Sequence, residues 1–157
     1  MDKTLRITEF LTVTGQVQFE QLKQAAQEEF KSVLNLRSPD ELGFLKDEQQ
    51  MAEALGLHYA NIPFKLESID EALITHILRK LEQLPKPVVI HCAAGMRSAA
   101  IALLSTAIQE GLTPEQALAR ARSLGFHYVD CTLISPHLRD CFVNYILRHA
   151  KVAVTAA

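Results

Sequence analysis

The residues able to do chemistry are concentrated in one stretch, PVVIHCAAGMRS at 87–98. An apolar run leads into His91 and Cys92. Three small residues, Ala93, Ala94 and Gly95, then Met96, separate that cysteine from Arg97 and Ser98. The pattern predicts a buried strand ending at His91, a compact loop, and a helix opening at Arg97. Small residues let main-chain N–H groups turn inward as an anion-binding nest. The helix adds its free N–H groups and the positive end of its dipole. Gly95 supplies a positive φ where the curl requires one. The guanidinium of Arg97 can fork two hydrogen bonds onto an oxyanion. Ala93, Ala94, Gly95, Met96 and Arg97 are therefore read as the anion-binding segment, with Met96 also a loop-packing residue.

Cys92 lies in the same positive field, so its thiol is expected to ionise more readily than the ~8.5 of free cysteine. A tetrahedral oxyanion held by the nest would place its central atom in line with the sulfur. For a phosphoryl group, the same donors would stabilise charge on the equatorial oxygens of the transition state. The Ser98 hydroxyl can hydrogen-bond the sulfur and help it leave when a thiophosphate is hydrolysed. His91 is assigned to ordering the loop rather than to acting as a base. A plain buried thiol would require none of Gly95, Arg97 and Ser98.

The elements that must position this loop follow from periodicity and punctuation. Residues 5–14 read as a strand or edge hairpin ended by Gly15. Residues 17–29 carry Phe19, Leu22, Ala25 and Ala26 at helical spacing, and 32–36 form a buried strand. A capping box from Ser38 to Glu41, with Pro39 at its first helical position, predicts a helix running to Gly56. Residues 58–62 make another strand, closed by Pro63. A second box, Ser68 to Glu71, opens a helix with Ile74, Ile77, Leu78 and Leu81 on one face. Residues 97–110 are apolar nearly all round, which predicts a buried helix. Thr113 caps a further helix to about Leu124, and Ser135-Pro136 starts a last one with Leu138, Phe142, Tyr145 and Ile146 inward. Strands alternating with helices imply a single α/β domain over 1–157, with a central, mainly parallel sheet of four to five strands flanked by helices. Ligands bind such sheets at the carboxyl ends of the strands. That edge collects Arg37 to Glu41, the residues after Pro63, and Cys92 onward.

Composition removes several classes. A net charge of −2 argues against nucleic acid as partner. No apolar run approaches the ~20 residues of a membrane span, and no basic segment followed by an apolar one marks a signal peptide. Cys92, Cys131 and Cys141 form no CxxC pair, so free thiols in a reducing, cytoplasmic setting are expected. Cys131 and Cys141 read as core thiols, with a reversible disulfide to Cys92 as the alternative. His58, His76, His127, His137 and His149 lack metal-ligand spacing, so neither a metal nor an organic cofactor is expected. Arg37 either widens the positive field around the loop or pairs with Asp40 or Glu41.

HCAAGMRS resembles the phosphate-binding loop of Cys-dependent protein tyrosine and dual-specificity phosphatases. Four residues, 93–96, separate its cysteine and arginine, where those enzymes have five. Four is the number typical of rhodanese-like sulfurtransferases. The stretches 15–41, 55–64 (LGLHYANIPF) and 111–125 (GLTPEQALARARSLG) are similar to the bacterial phosphatase-like family DUF442, also called beta-lactamase hydrolase-like. The resemblance covers most of the chain. It implies a phosphatase-like fold, Cys92 as nucleophile, Arg97 and the loop as oxyanion site, and a phosphorylated small molecule or phosphoprotein as partner. The long helical region after Cys92 is phosphatase-like, whereas a rhodanese domain would end soon after its loop helix with a strand and a Gly-Gly turn. Residues 124–130 (LGFHYVD) mimic such a strand, but no Gly-Gly follows.

The resemblance also implies a general acid, supplied as an Asp from the loop after HYANIP. No Asp directly follows Pro63. Asp70 is the first choice and Glu67 the second, with Asp40 and Glu41 third. The bland reading of Asp70 and Glu71 is that they complement the dipole of a helix start. Three readings stay open: a phosphomonoesterase, a sulfurtransferase working through a Cys92 persulfide, and a non-catalytic binder of oxyanions or phosphopeptides. The short loop predicts a tight anion cradle with slow turnover, above all on bulky phosphoproteins.

Overall fold

The computed structural model describes residues 4–125 and 136–149. Strand β1 (Leu5–Arg6) turns back antiparallel onto β2 (Leu11–Thr14) as the chain's edge hairpin. Helix α1 (Phe19–Gln27), strand β3 (Ser32–Asn35), helix α2 (Glu48–Ala54) and strand β4 (His58–Asn61) follow. Helix α3 (Glu71–Gln83) leads to β5 (Val88–His91), and helices α4 (Met96–Glu110), α5 (Pro114–Ser123) and α6 (Pro136–His149) complete the order. The sheet runs β1-β2-β5-β3-β4, and every pairing except β1 with β2 is parallel.

This order places β5, the last strand among the described residues, between β2 and β3. The strand is covered on both faces, which its sequence VVIH accommodates because parallel strands need no polar side. Register aligns Thr14, His91, Asn35 and Asn61 in one row across the carboxyl edge. Consecutive residues feed opposite layers: Leu34 packs into the larger core and Val33 into a smaller one with Val17, Leu22, Ala52 and Leu57. The first layer holds α3 and α4, with α5 and α6 packed on α4; the second holds α1 and α2. Ten of the residues of α4, from Ser98 through Ala107, are buried, so the helix is a fixed post behind the loop that opens it.

Two predicted helix starts differ from the observed ones. Residues 38–47 form turns, and α2 begins only at Glu48. Half of the expected box exists, since Ser38 N–H donates to Glu41 Oε2 at 2.8 Å. The ladder does not propagate because the buried Arg37 side chain takes the carbonyls of Leu42 and Gly43, and Gly43 has φ +89°. In the second case Asp70, not Ser68, is the N-cap: its Oδ1 accepts from Leu73 N at 2.8 Å, while Leu66–Ser68 form a single 3₁₀ turn.

Candidate active site

Strand β5 delivers Cys92 to the carboxyl edge, where the residue is 1% exposed. The chain curls through Ala93 and Ala94 to Gly95, which has φ +100° and caps α4. That curl directs Gly95 N–H onto Cys92 Sγ at 3.1 Å. Ser98, in the first turn of α4, holds its Oγ 3.5 Å from the same sulfur. Its one proton has three acceptors in reach: the sulfur, Thr14 O at 3.1 Å and Gly95 O at 3.0 Å. The hydroxyl so placed can turn its hydrogen bond to the sulfur when the sulfur gains negative charge.

The end of β2 laces this curl in place. Cys92 N–H donates to Thr14 O at 3.4 Å, and Gln16 N–H donates to Ala93 O at 3.1 Å. The approach is close enough that a Cβ on Gly15 would lie 2.8 Å from Ala93 O. Glycine at position 15, read in the sequence only as a strand end, is there because the loop leaves no room for a side chain.

Arg97 faces an open cleft of about 490 Å³ that Cys92, Ala93, Ala94 and Met96 also line. Its Nη1 and Nη2 donate to Glu41 Oε2 and Oε1 at 2.8 and 3.0 Å, and Nη1 also reaches Phe64 O at 3.2 Å. The Arg97 guanidinium, outweighing the opposing effect of burial, holds the Glu41 carboxyl down at about 2 from an ordinary 4.5; Ser38 N–H and Arg37 add to it. The same pairing raises Arg97 above its ordinary value. Glu41 was weighed in the sequence as an acid, yet it stands as the carboxylate partner of Arg97.

Arg37 resolves between its two readings in favour of pairing. It is buried and donates through Nε to Glu41 Oε1 at 3.1 Å and through Nη1 to Gln16 Oε1 at 2.8 Å. Asp40 pairs instead with Lys65, at 2.7 Å on the cleft rim. Of the acid candidates, Glu67, Asp40 and Glu41 line the cleft, and Asp70 is not among its lining residues. The Asp70 carboxylate serves the start of α3.

The ordering task given to His91 has a physical basis that the sequence did not contain. The ring is fully buried, with Nε2 2.5 Å from Glu48 Oε2 and Nδ1 3.3 Å from Cys92 O. Glu48 Oε1 accepts from Gln16 Nε2 at 2.8 Å. Neither Glu48 nor Gln16 stands in a motif. Nothing in the sequence marks Glu48 as buried, because the Ser38 capping box places it well inside a predicted helix rather than in the first turn of a short one. Cys141 lies 4.0 Å or less from the His137 ring nitrogens on α6. Burial pushes its thiol up. Cys131, His127 and most of the strand-like stretch 124–130 fall outside the described residues. Among the described residues no cluster of His, Cys, Asp and Glu could hold a metal, and no helix is long and apolar enough to cross a membrane.

Comparison with known proteins adds to this geometry. Residues 4–109 match the family described as "Beta-lactamase hydrolase-like protein, phosphatase-like domain". A beta-lactamase hydrolase-like protein of Agrobacterium fabrum is 32% identical over 110 residues, covering 68% of this chain and 25% of the relative. The chain thus spans about a quarter of the length of that protein. A DUF442 structure from Shewanella putrefaciens CN-32 superposes with TM-score 0.79 at 19% identity, covering 94% of this chain and 93% of the other. P. aeruginosa TpbA in complex with pTyr superposes with TM-score 0.69 at 17% identity, covering 97% and 86%.

Proposed function

Because the chain belongs to the beta-lactamase hydrolase-like family and carries its phosphatase-like domain, we propose that it is a Cys-dependent phosphomonoesterase. The observation that carries this reading is the arrangement of Cys92 Sγ under Gly95 N–H at 3.1 Å, with Arg97 lining the same cleft. The sulfur of Cys92 attacks phosphorus, the S–P bond forms, and the P–O bond to the leaving group breaks. Arg97 and the N–H groups of the curl and of the first turn of α4 hold the three non-bridging oxygens. Glu67, on the cleft side, protonates the leaving oxygen in place of Asp70. Water then attacks phosphorus and gives up a proton to the Glu67 carboxylate, the S–P bond breaks, and the Ser98 hydroxyl donates a hydrogen bond to the departing thiolate. No metal or organic cofactor enters these steps. The likeness to a TpbA–pTyr complex supports a phosphorylated partner, and the short curl of residues 93–96 favours small esters over bulky phosphoproteins.

The test is hydrolysis of an aryl phosphate by wild type, Cys92→Ser and Arg97→Ala. Wild type turns over, Cys92→Ser falls to background, and Arg97→Ala loses about 10²- to 10³-fold, the usual cost of one transition-state donor. Equal rates in all three overturn the reading. One observation favours a second reading: four residues between Cys92 and Arg97 is a sulfurtransferase spacing. Sulfur transfer from thiosulfate to cyanide, with no ester hydrolysis, would establish it instead. Vanadate binding without either reaction would leave an oxyanion-binding module.

A further inference from the structure

Beneath the loop lies a buried acid for which the proposed chemistry has no use. Glu48 is 0% exposed and binds the fully buried His91 through Oε2. Its other oxygen is held by Gln16, and the Gln16 amide is itself fixed: Oε1 accepts from Arg37 Nη1 at 2.8 Å while Nε2 also donates to Val17 O at 2.8 Å. Arg37 continues to Glu41, and Glu41 to Arg97. A single chain of hydrogen bonds thus starts beside the Cys92 carbonyl and ends at the guanidinium on the far side of the cleft.

The proton inventory of this chain is constrained. A carbonyl oxygen only accepts, so the 3.3 Å contact from His91 Nδ1 to Cys92 O is a hydrogen bond only when Nδ1 carries a proton. If the ring held its single proton on Nε2, for Glu48, two lone pairs would face each other at Nδ1. With a proton on Nδ1 and a second one shared between Nε2 and Oε2, both contacts are satisfied and the buried pair carries no net charge. A net charge buried there would lose its hydration with nothing to replace it. The other groups facing the pair do not supply that proton. The Tyr59 hydroxyl takes a bond from Asn35 Nδ2 at 3.0 Å, and burial, with the charge of Glu48 and a hydrogen bond to it adding, pushes it up to about 12, so the hydroxyl keeps its own proton. Arg37 is separated from the pair by Gln16. Cys92 presents its carbonyl to the ring, and its sulfur points to Gly95 and Ser98.

We propose that Glu48 is a positioning residue for the Cys92 loop: it anchors the His91 ring through Nε2, and the ring's Nδ1–H then holds the Cys92 carbonyl where strand β5 gives way to the curl. The consequence for turnover rests on Cys92 being the nucleophile, as proposed above. Ring ¹⁵N spectra and kinetics test it together. In wild type, His91 Nδ1 is the protonated, pyrrole-like nitrogen, and its proton exchanges slowly. Glu48→Gln retains both features, because the new side-chain amide donates to Nε2 and leaves the ring proton on Nδ1. In Glu48→Leu the ring is no longer anchored and that exchange quickens. Aryl phosphate turnover falls about 30-fold in kcat for Glu48→Leu, with KM within about twofold, and recovers to within about threefold in Glu48→Gln, as the loss of one strong hydrogen bond predicts. In a His91→Ala background, Glu48→Leu causes no further loss. An unprotonated Nδ1 in wild type or in Glu48→Gln overturns the proposal, as does unchanged exchange in Glu48→Leu or an undiminished effect of Glu48→Leu without His91. Should Glu48→Leu fail to fold, the Glu48→Gln spectrum alone decides. The spectra need no turnover. A slowly exchanging Nδ1–H that quickens in Glu48→Leu, in a protein inert toward phosphate esters, therefore refutes the phosphatase reading and upholds this one.

Discussion

Glu41 grips Arg97 with both carboxylate oxygens, at 2.8 and 3.0 Å from the two Nη nitrogens. Any oxyanion that enters the cleft must share this guanidinium or take it from Glu41. Replacing Glu41 with Gln removes the competing charge but keeps the shape. Inorganic phosphate should then inhibit at about two- to fivefold lower concentration, the scale of one surface-facing ion pair. Phosphate inhibition constants of the two proteins check this, and equal constants reject it.

The same pair sets an acid dependence. Glu41 is held at about 2 when folded, against an ordinary 4.5. A depressed carboxyl stabilises the fold fully above the ordinary value and loses that contribution as pH falls towards the folded one. The stability gap between wild type and Glu41→Gln should therefore be constant above about pH 5 and close between about pH 4.5 and 2. Urea unfolding across that range measures it, and a gap that widens on acidification contradicts the assignment.

Glu67 and Asp70 should separate cleanly. Glu67→Gln is expected to slow hydrolysis of unactivated aryl esters by about 10²-fold while leaving nitrophenyl esters almost unaffected, because only poor leaving groups need a proton. Asp70→Asn should leave both rates intact, and Asp70→Ala should lower stability by about 1 kcal/mol through loss of the cap. A reversed pattern of rates would restore Asp70 as the acid.

Ser98→Ala should uncouple the two chemical steps. The sulfur leaves less readily without a hydroxyl donor, so the thiophosphate accumulates and a burst precedes a steady rate about 10- to 100-fold slower. Stopped-flow release of nitrophenol shows the burst, and a uniformly slower trace without one argues against this role.

Gly15→Ala tests the brace behind the curl. The new methyl would sit 2.8 Å from Ala93 O, so the loop must shift. A loss of about 1–3 kcal/mol in stability is expected, as for other overpacked sites, together with weaker vanadate binding. Thermal unfolding and vanadate titration report the two effects separately.

Much of this arrangement was legible in the sequence. Apolar runs and their punctuation located β3, β4 and β5, and the uniform apolarity of α4 marked it as buried. The carboxyl-edge rule then gathered Arg37, Glu41 and Cys92 without coordinates. The illegible part is long-range and polar. Ser38 and Ser68 each matched a capping box, but whether a box propagates depends on tertiary competitors. At Ser38 the competitor is Arg37, which takes the carbonyls of Leu42 and Gly43. At Ser68 a 3₁₀ turn moves the cap to Asp70. Glu48 meets His91 across 43 residues, and Gln16 meets Arg37 across 21. No local spacing encodes either meeting, because both follow from the strand order that brings β2, β5 and β3 side by side.

That order also governs when the chemistry comes into being. Strands β2 and β3 each pair with β5 and not with each other, so the centre of the sheet is complete only once residues 88–91 have been made. The pairing that completes it is the one that carries the thiol to the edge and seats the histidine on its acid. On the proposed reading, reactivity would be acquired in the same event as structural integrity, and a half-synthesised or misassembled chain would carry no working sulfur.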